Sequence, residues 1–176
     1  MLDKRSVLKG LLLDIEHWRV ELPDGREALR ELAFHMGAVA VVPVDEAGYT
    51  TLVRQYRTAM GRVMLEIPAG KLDSPDENRE EAARRELREE TGLTARELRH
   101  LNIIVPSPGY LTERIWLYMA TGLARGESAP DEDEFIECVR LPLAEAVEMV
   151  MRGQIDDAKS VCALMMAWNI YWKNIP

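Results

Sequence analysis

The apolar positions of the chain fall into short runs separated by turn-forming residues, a pattern typical of β-strands. Residues 37–44, GAVAVVPV, are almost entirely apolar and predict a buried strand. Residues 49–56 follow across a turn at 45–48, so we expect these two strands to pair. Residues 63–67 predict another short strand, which leads into Pro68.

The other predicted elements lie on both sides of this group. Residues 10–21 and 28–34 flank the turn sequence LPDGRE and predict an antiparallel hairpin. Three later strands and two closing helices are predicted, near residues 98–105, 114–120 and 135–141 and at residues 143–152 and 157–173. This order predicts an α+β fold in which helices cover the faces of a mixed sheet.

The central segment, residues 78–90, lacks glycine, proline and β-branched residues, and it therefore predicts an α-helix. Residues three and four apart share a helix face, so Glu86, Glu89 and Glu90 are expected to lie together. Like charges at this spacing repel one another, and a hard divalent cation with oxygen ligands is the simplest compensation. Arg85, four residues before Glu89, is expected to orient these acids.

Composition limits the classes of function. The chain has 176 residues, of which 47% are apolar, enough for one main domain with a substantial core. The net charge is −8 and no basic run is present, so we expect no nucleic-acid partner. Residues 161–172 form the longest apolar-rich tract, which is too short to span a bilayer. Cys138 and Cys162 lack CxxC spacing. These features predict a cytoplasmic protein without a membrane partner.

The stretch GKLDSPDENREEAARRELREETGL, residues 70–93, resembles the Nudix box, the signature of hydrolases that cleave nucleoside diphosphates linked to another moiety. Every element of that pattern from Arg85 to Leu93 matches, and counting back places its first glutamate at Glu77. Six residues, where the pattern has five, separate Gly70 from Glu77. The extra residue lies in the loop before the helix, so it leaves the register of the acids unchanged.

The flanking segments are similar to the ADP-ribose pyrophosphatase branch of the Nudix hydrolases. They are LPDGREALREL, GAVAVVPV, LVRQYR and LEIPAGKLD upstream, with SPGYLTE and GQIDDAKSVCALMMAW downstream. The resemblance implies a Nudix α/β/α sandwich with a mixed β-sheet in residues 37–176. Residues 1–36 are then an N-terminal antiparallel β-hairpin extension that takes part in dimerisation and in the substrate pocket. A homodimer is implied by this resemblance alone.

The same resemblance implies a metal site for Mg²⁺, with Mn²⁺ as the alternative. Its ligands are the Ala69 carbonyl and the carboxylates of Glu86, Glu89, Glu90 and Glu134. Glu90 is also counted as catalytic.

The branch places the base that activates the attacking water in an acidic loop before the last strand. Matching residue by residue gives Glu132 in the segment APDEDEFIE, with Glu134 as the added metal ligand. The two roles are exchangeable, and by composition alone the segment also fits a solvated loop.

Substrate-binding residues are implied around the box. They are Arg57 and Arg54 for the diphosphate, Pro108 and Gly109 for the shape of the ribose pocket, and Glu113 for the terminal ribose. Strand alternation places the two arginines on opposite faces, and each also fits a surface ion pair. The Pro-Gly pair also fits a simple turn. Trp18 fits either stacking on the base or ordinary packing.

By resemblance, the reaction is Mg²⁺-dependent hydrolysis of the pyrophosphate bond of ADP-ribose, which gives AMP and ribose 5-phosphate. Two alternatives remain open. One is hydrolysis of another nucleoside diphosphate sugar such as GDP-mannose, because all these small-molecule substrates share the diphosphate. The other is a Nudix-fold protein that senses ADP-ribose without cleaving it. The complete set of box acids favours an enzyme.

Overall fold

A computed structural model of the protein describes residues 1–126 and 136–173, with side chains as far as residue 171. The strands within these ranges are β1 (Asp3–Lys9), β2 (Asp14–Glu21), β3 (Glu27–Phe34), β4 (Ala38–Pro43), β5 (Tyr49–Arg57), β6 (Arg62–Glu66), β7 (Ala69–Lys71), β8 (Leu93–Ile104), β9 (Ile115–Arg125) and β10 (Glu137–Pro142). The helices are α1 (Arg79–Thr91), α2 (Leu143–Met151) and α3 (Ala158–Lys173), with a 3₁₀ turn at Thr58–Met60.

Strand β4 lies at the centre of the fold, in a four-stranded sheet of order β7-β4-β9-β8. It pairs antiparallel with β7 and parallel with β9, so the sheet is mixed. All six residues of β4 are buried. Val39 and Val41 pack into the core beneath α1, whereas Ala40 and Val42 pack into the core shared with α2 and α3. Both faces of the sheet are therefore covered by helices, which confirms the predicted α/β/α sandwich.

The expected pairing of β4 with β5 is wrong. Strand β5 lies in a second sheet of order β10-β5-β6, and an isolated antiparallel bridge joins Val44, just after β4, to Thr50. Both edges of β4 are already taken by β7 and β9. The turn at Asp45, whose Oδ1 accepts the N–H groups of Ala47 and Tyr49, therefore leads the chain into another sheet.

The N-terminal extension has one strand more than the predicted hairpin. Strands β1, β2 and β3 form a three-stranded antiparallel sheet, and residues 10–13 connect β1 to β2. Every residue of β1 is exposed, so this strand lacks the apolar alternation from which it could be predicted. Whether residues 36 and 37 mark a domain boundary stays a prediction.

Some strands differ in number or length from those predicted from the sequence, whereas the helices agree. Strand β7 was not anticipated because three residues are too few for a periodic pattern. Strand β8 begins at Leu93 and β9 extends to Arg125, so both are longer than the sequence indicated. The three helices match their predicted positions within one or two residues. In the part of the chain described, no helix is long and apolar enough to cross a membrane.

Candidate active site

Helix α1 fixes the positions of the acidic side chains. Asn78 caps its N-terminus, since the Asn78 side chain accepts the backbone N–H groups of Glu80 and Glu81 at 2.9 and 3.2 Å. Gly92, which has a left-handed φ of 68°, caps its C-terminus. Leu87 is fully buried and turns one helix face into the core. The orientation of the neighbouring acids is therefore set by apolar packing.

Strand β7 lies against the acidic face of this helix. Glu90 is buried and accepts the Ala69 N–H at 2.9 Å through Oε2. The Glu86 carboxylate lies so close to Gly70 that a Cβ atom at that position would be 2.1 Å from Glu86 Oε1. The side chain of Glu89 is about one-third exposed. The structure thus brings four of the predicted metal-site residues together, namely Ala69, Glu86, Glu89 and Glu90.

Arg85 lies among four carboxylates. Its Nη1 is 2.7 Å from Glu86 Oε1 and 3.2 Å from Glu89 Oε2, and its Nη2 is 3.2 Å from Glu77 Oε1 and 3.6 Å from Asp73 Oδ2. Burial acts to lower the pKa of Arg85, but the surrounding carboxylates, Glu86 foremost, raise it. The guanidinium is therefore a permanent cation, placed where the sequence predicted an orienting residue.

The carboxylates of helix α1 offer the oxygen ligands that a hard divalent cation requires. Carboxylate and carbonyl oxygens are the ligands that Mg²⁺ and Mn²⁺ prefer. Within residues 1–126 and 136–173, however, no three His, Cys, Asp or Glu side chains are grouped as a metal site. In the structure Glu86 and Glu89 accept hydrogen bonds from Arg85, and Glu90 accepts the Ala69 N–H.

A cavity of about 330 Å³ lies beside this face. Its lining includes Gly70, the first residue of the box, and the neighbouring Ala69, together with the predicted substrate residues Arg57 and Glu113. A larger surface cavity, about 460 Å³, is lined by Arg84 and other residues of the α1–β8 side and contains none of the predicted site residues. The smaller cavity is therefore the candidate active site.

Arg57 reaches this cavity while bound to Glu66. Its Nε and Nη2 donate to the two carboxylate oxygens of Glu66, each at 2.8 Å. Lys159, which also lines the cavity, donates to Glu66 as well. Burial acts to raise the pKa of Glu66, but the hydrogen bond from Arg57 and the charge of Lys159 outweigh it and bring the pKa to about 2. Glu66 is thus ionised at neutral pH.

Of the other predicted substrate residues, one lines the cavity and three do not. Glu113 lines the cavity, with Oε1 3.5 Å from His35 Nδ1. Arg54 lies on the opposite face of β5, where its exposed guanidinium is 3.4 Å from Glu137. Pro108 and Gly109 are exposed and do not line the cavity.

Two further expectations concern residues away from this cavity. Trp18 packs against Phe34, with ring centroids 5.9 Å apart, and its Nε1 donates to Glu16 at 2.6 Å. This arrangement fits the packing interpretation of Trp18. Glu132 and Glu134 lie outside the described residues.

Sequence reasoning assigned no role to His35, Glu66 or Lys159. The available signals were a glutamate within the apolar run MLEIP and a lysine at the start of an apolar helix. Neither signal indicates that the two residues meet at the cavity, because Glu66 and Lys159 are 93 residues apart in sequence and only the fold brings them together.

The layered fold and the acid-lined helix define a NUDIX domain. The chain belongs to this family, whose sequence profile matches residues 34–164. Nudix hydrolases in general need divalent cations.

Individual relatives are similar over most of the chain. An ADP-ribose pyrophosphatase of Bacillus subtilis (strain 168) is 38% identical over 92% of this chain and 88% of its own length. A methanol dehydrogenase activator of Bacillus methanolicus is also 38% identical, over 90% of this chain and 86% of its own length. A crystal structure of an ADP compounds hydrolase matches with a TM-score of 0.86 at 26% identity, covering 98% of this chain and 93% of that one. The two Bacillus relatives have different names but are equally identical to this chain, so the identities alone do not distinguish between them. The substrate is therefore argued from the site as well.

Proposed function

We propose that this protein is a Mg²⁺-dependent Nudix hydrolase that cleaves the pyrophosphate bond of ADP-ribose to give AMP and ribose 5-phosphate. The observation that carries the proposal is that Arg57, Ala69 and the first box residue, Gly70, line one cavity. The guanidinium of Arg57 and the strand that contacts Glu86 and Glu90 are therefore available to the same small ligand. Similarity to an ADP-ribose pyrophosphatase over 92% of the chain supports this substrate.

The chemistry of a pyrophosphate explains why both features are needed. Its oxygens are negative and repel a nucleophile, so the enzyme must neutralise charge and position the attacking water. Glu86, Glu89, Glu90 and the Ala69 carbonyl would hold Mg²⁺ or Mn²⁺, which polarises phosphoryl oxygens and lowers the pKa of bound water. Arg57 binds a phosphate through charged hydrogen bonds.

Glu113 is proposed to bind the terminal ribose, because a carboxylate accepts hydrogen bonds from hydroxyl groups. Its loop is tied to β3, since Ala33 donates to the Tyr110 carbonyl at 2.7 Å and accepts from Thr112 at 2.9 Å. Pro108 and Gly109 would act by shaping this loop. Of the two arginines, Arg57 is the stronger candidate because Arg54 pairs with Glu137 on the other face.

A magnesium-supplemented screen tests the function. ADP-ribose, GDP-mannose and dinucleotides are offered separately, and the products are identified by mass. We expect AMP and ribose 5-phosphate from ADP-ribose, with the highest kcat/KM for this substrate, and hydrolysis in ¹⁸O-labelled water identifies the phosphorus that is attacked. Preferred cleavage of GDP-mannose would reassign the substrate, and binding of ADP-ribose without turnover would identify a sensor.

The base is assigned by two matched variants. We propose Glu132 as the base and Glu134 as the added metal ligand. Glu132→Gln should lose turnover at saturating Mg²⁺, whereas the activity of Glu134→Gln should be partly restored by raising Mg²⁺. The reverse pattern would exchange the two roles.

We also propose that the protein acts as a cytoplasmic homodimer in which residues 1–36 contribute to the interface. The proposed partners are small-molecule substrates, with neither nucleic acid nor membrane involved. Light scattering coupled to gel filtration would show twice the monomer mass. Deletion of residues 1–36 should give a monomer, and a dimer after this deletion would place the interface elsewhere.

A further inference from the structure

One wall of the candidate cavity contains two cations that share one buried acid. Glu66 has only 2% of its surface exposed, and it accepts from Arg57 through both oxygens and from Lys159 through one. Lys159 also donates to Asp157 Oδ2 at 2.9 Å. Glu66 joins strand β6 to helix α3 and lies behind the cavity, whereas Arg57 and Lys159 are part of its lining.

Both cations keep donors that these contacts leave unused. A guanidinium has five N–H donors and an ammonium has three. Among the described residues, Arg57 uses one N–H of Nε and one of Nη2, both on Glu66, and Lys159 donates to Glu66 and Asp157. The remaining donors belong to groups whose positions are already fixed, so binding an anion costs little further side-chain ordering.

We propose that Glu66 is a positioning residue for the substrate, whose buried carboxylate holds Arg57 and Lys159 side by side so that their remaining donors bind a phosphate of the nucleoside diphosphate. This inference rests on the proposed function and extends it to two residues that the box does not contain. Glu66 does not touch the substrate, and Lys159 joins Arg57 as a binding residue.

The direction in which Glu66→Gln changes the affinity for substrate distinguishes a positioning role of Glu66 from a purely electrostatic one. Glu66 is negative and lies behind a site for an anion, so neutralising it raises the local positive potential. If its charge were its only influence, Glu66→Gln would bind substrate more tightly. If Glu66 positions the two cations, the same variant binds substrate more weakly, because Arg57 loses its bidentate partner.

The experiment measures KM and kcat for ADP-ribose with Mg²⁺ in the wild type and in Glu66→Gln. We expect KM to rise about tenfold or more, the change for losing a well-placed charged hydrogen bond, with a much smaller change in kcat. Lys159→Met is a second variant that keeps the Arg57–Glu66 pair, and its KM should also rise. An unchanged or lower KM in Glu66→Gln or in Lys159→Met would overturn the inference.

Asp45→Asn is the matched control. Asp45 is also a carboxylate paired with an arginine, since its Oδ2 lies 2.6 Å from Arg140 Nη2, but it does not line the cavity. The Asp45→Asn variant should lower the unfolding temperature without changing KM for ADP-ribose. A similar rise of KM in Asp45→Asn would mean that lost stability explains the effect and would overturn the inference.

The proposed function and this inference fail in different ways. If the wild type binds ADP-ribose without cleaving it, the proposed function fails, and the dissociation constants of the same variants, measured by calorimetry with Mg²⁺, replace KM. Weaker binding by both variants then supports the inference alone. A wild type that neither binds nor cleaves ADP-ribose overturns both.

Discussion

Gly70 packs so tightly against Glu86 that no side chain fits between strand β7 and helix α1. A Cβ atom on Gly70 would lie 2.1 Å from the Glu86 carboxylate oxygen. Gly70→Ala must therefore displace Glu86 or the strand, which should lower stability by about 1–3 kcal/mol. Because displacing a catalytic group by about 1 Å costs on the order of 100-fold, kcat/KM should fall by about that factor. Gly109→Ala meets no atom within 4 Å and should leave urea unfolding unchanged. Wild-type activity in Gly70→Ala would show that the position of Glu86 is unimportant.

Glu90→Gln tests the metal face with little change of shape. A glutamine oxygen can still accept the Ala69 N–H, now 2.9 Å from Glu90 Oε2, so the fold should be retained. Loss of the negative ligand should lower kcat by about 100-fold or more at fixed Mg²⁺. Glu81→Gln, on the exposed side of the same helix, should behave as the wild type. Circular dichroism checks the fold, and unchanged turnover in Glu90→Gln would exclude the proposed metal site.

Arg85→Lys tests the guanidinium at constant charge. A lysine is a point charge and cannot contact Glu86, Glu89 and Glu77 at once, as the planar group of Arg85 does. We expect kcat/KM to fall by about 10–100-fold, the effect typical of losing an orienting partner of metal ligands. Arg88→Lys is the control, because Arg88 is exposed and its nearest acid, Glu89, is 4.0 Å away. Equal activities of the two variants would contradict an orienting role for Arg85.

Glu66 should make stability depend on pH in the acid range. Its pKa is about 2 in the folded protein against an ordinary value of 4.5, so its contribution is fully present above pH 4.5 and is lost as the pH falls toward 2. The difference in unfolding free energy between wild type and Glu66→Gln should narrow by about 2 kcal/mol between about pH 6 and pH 3. Urea unfolding at several pH values measures it. Parallel stability curves for the two proteins would show that the carboxylate is not held ionised.

Asn78→Ala should weaken the start of the catalytic helix. It removes the acceptor for the N–H groups of Glu80 and Glu81, and loss of such a cap costs about 1 kcal/mol. Urea unfolding should show this decrease, and Asn78→Asp should retain most of the stability. An unchanged unfolding free energy in Asn78→Ala would mean that solvent replaces the cap.

Local sequence signals predicted the parts of the fold that depend on neighbouring residues. Helix α1 was predicted because its composition, its glycine end at Gly92 and its acidic spacing all agree within one short segment. Strand alternation predicted that Arg54 and Arg57 lie on opposite faces of their strand, and only the family resemblance favoured Arg57, which lines the cavity.

Features that depend on distant contacts were missed or predicted wrongly. The pairing of β4 with β5 followed from their closeness in sequence, whereas the edges of β4 are occupied by strands from elsewhere in the chain. Lys159 belongs to the site because of a contact with Glu66 across 93 residues, and no periodicity records such a contact. These features depend on tertiary contacts, which local sequence propensities do not reveal.

The hydrogen bond from the Ile67 N–H to Ser160 Oγ, 2.9 Å long, has a consequence for synthesis on the ribosome. Its partners are 93 residues apart, and at about 5–20 residues per second the second follows the first by roughly 5 to 20 s. For most of that interval, once residue 91 has been added, the nascent chain contains the acidic helix but lacks Lys159 and the anchor of α3. We therefore expect the growing chain to become competent for catalysis in one late step, after its metal-binding acids have left the exit tunnel.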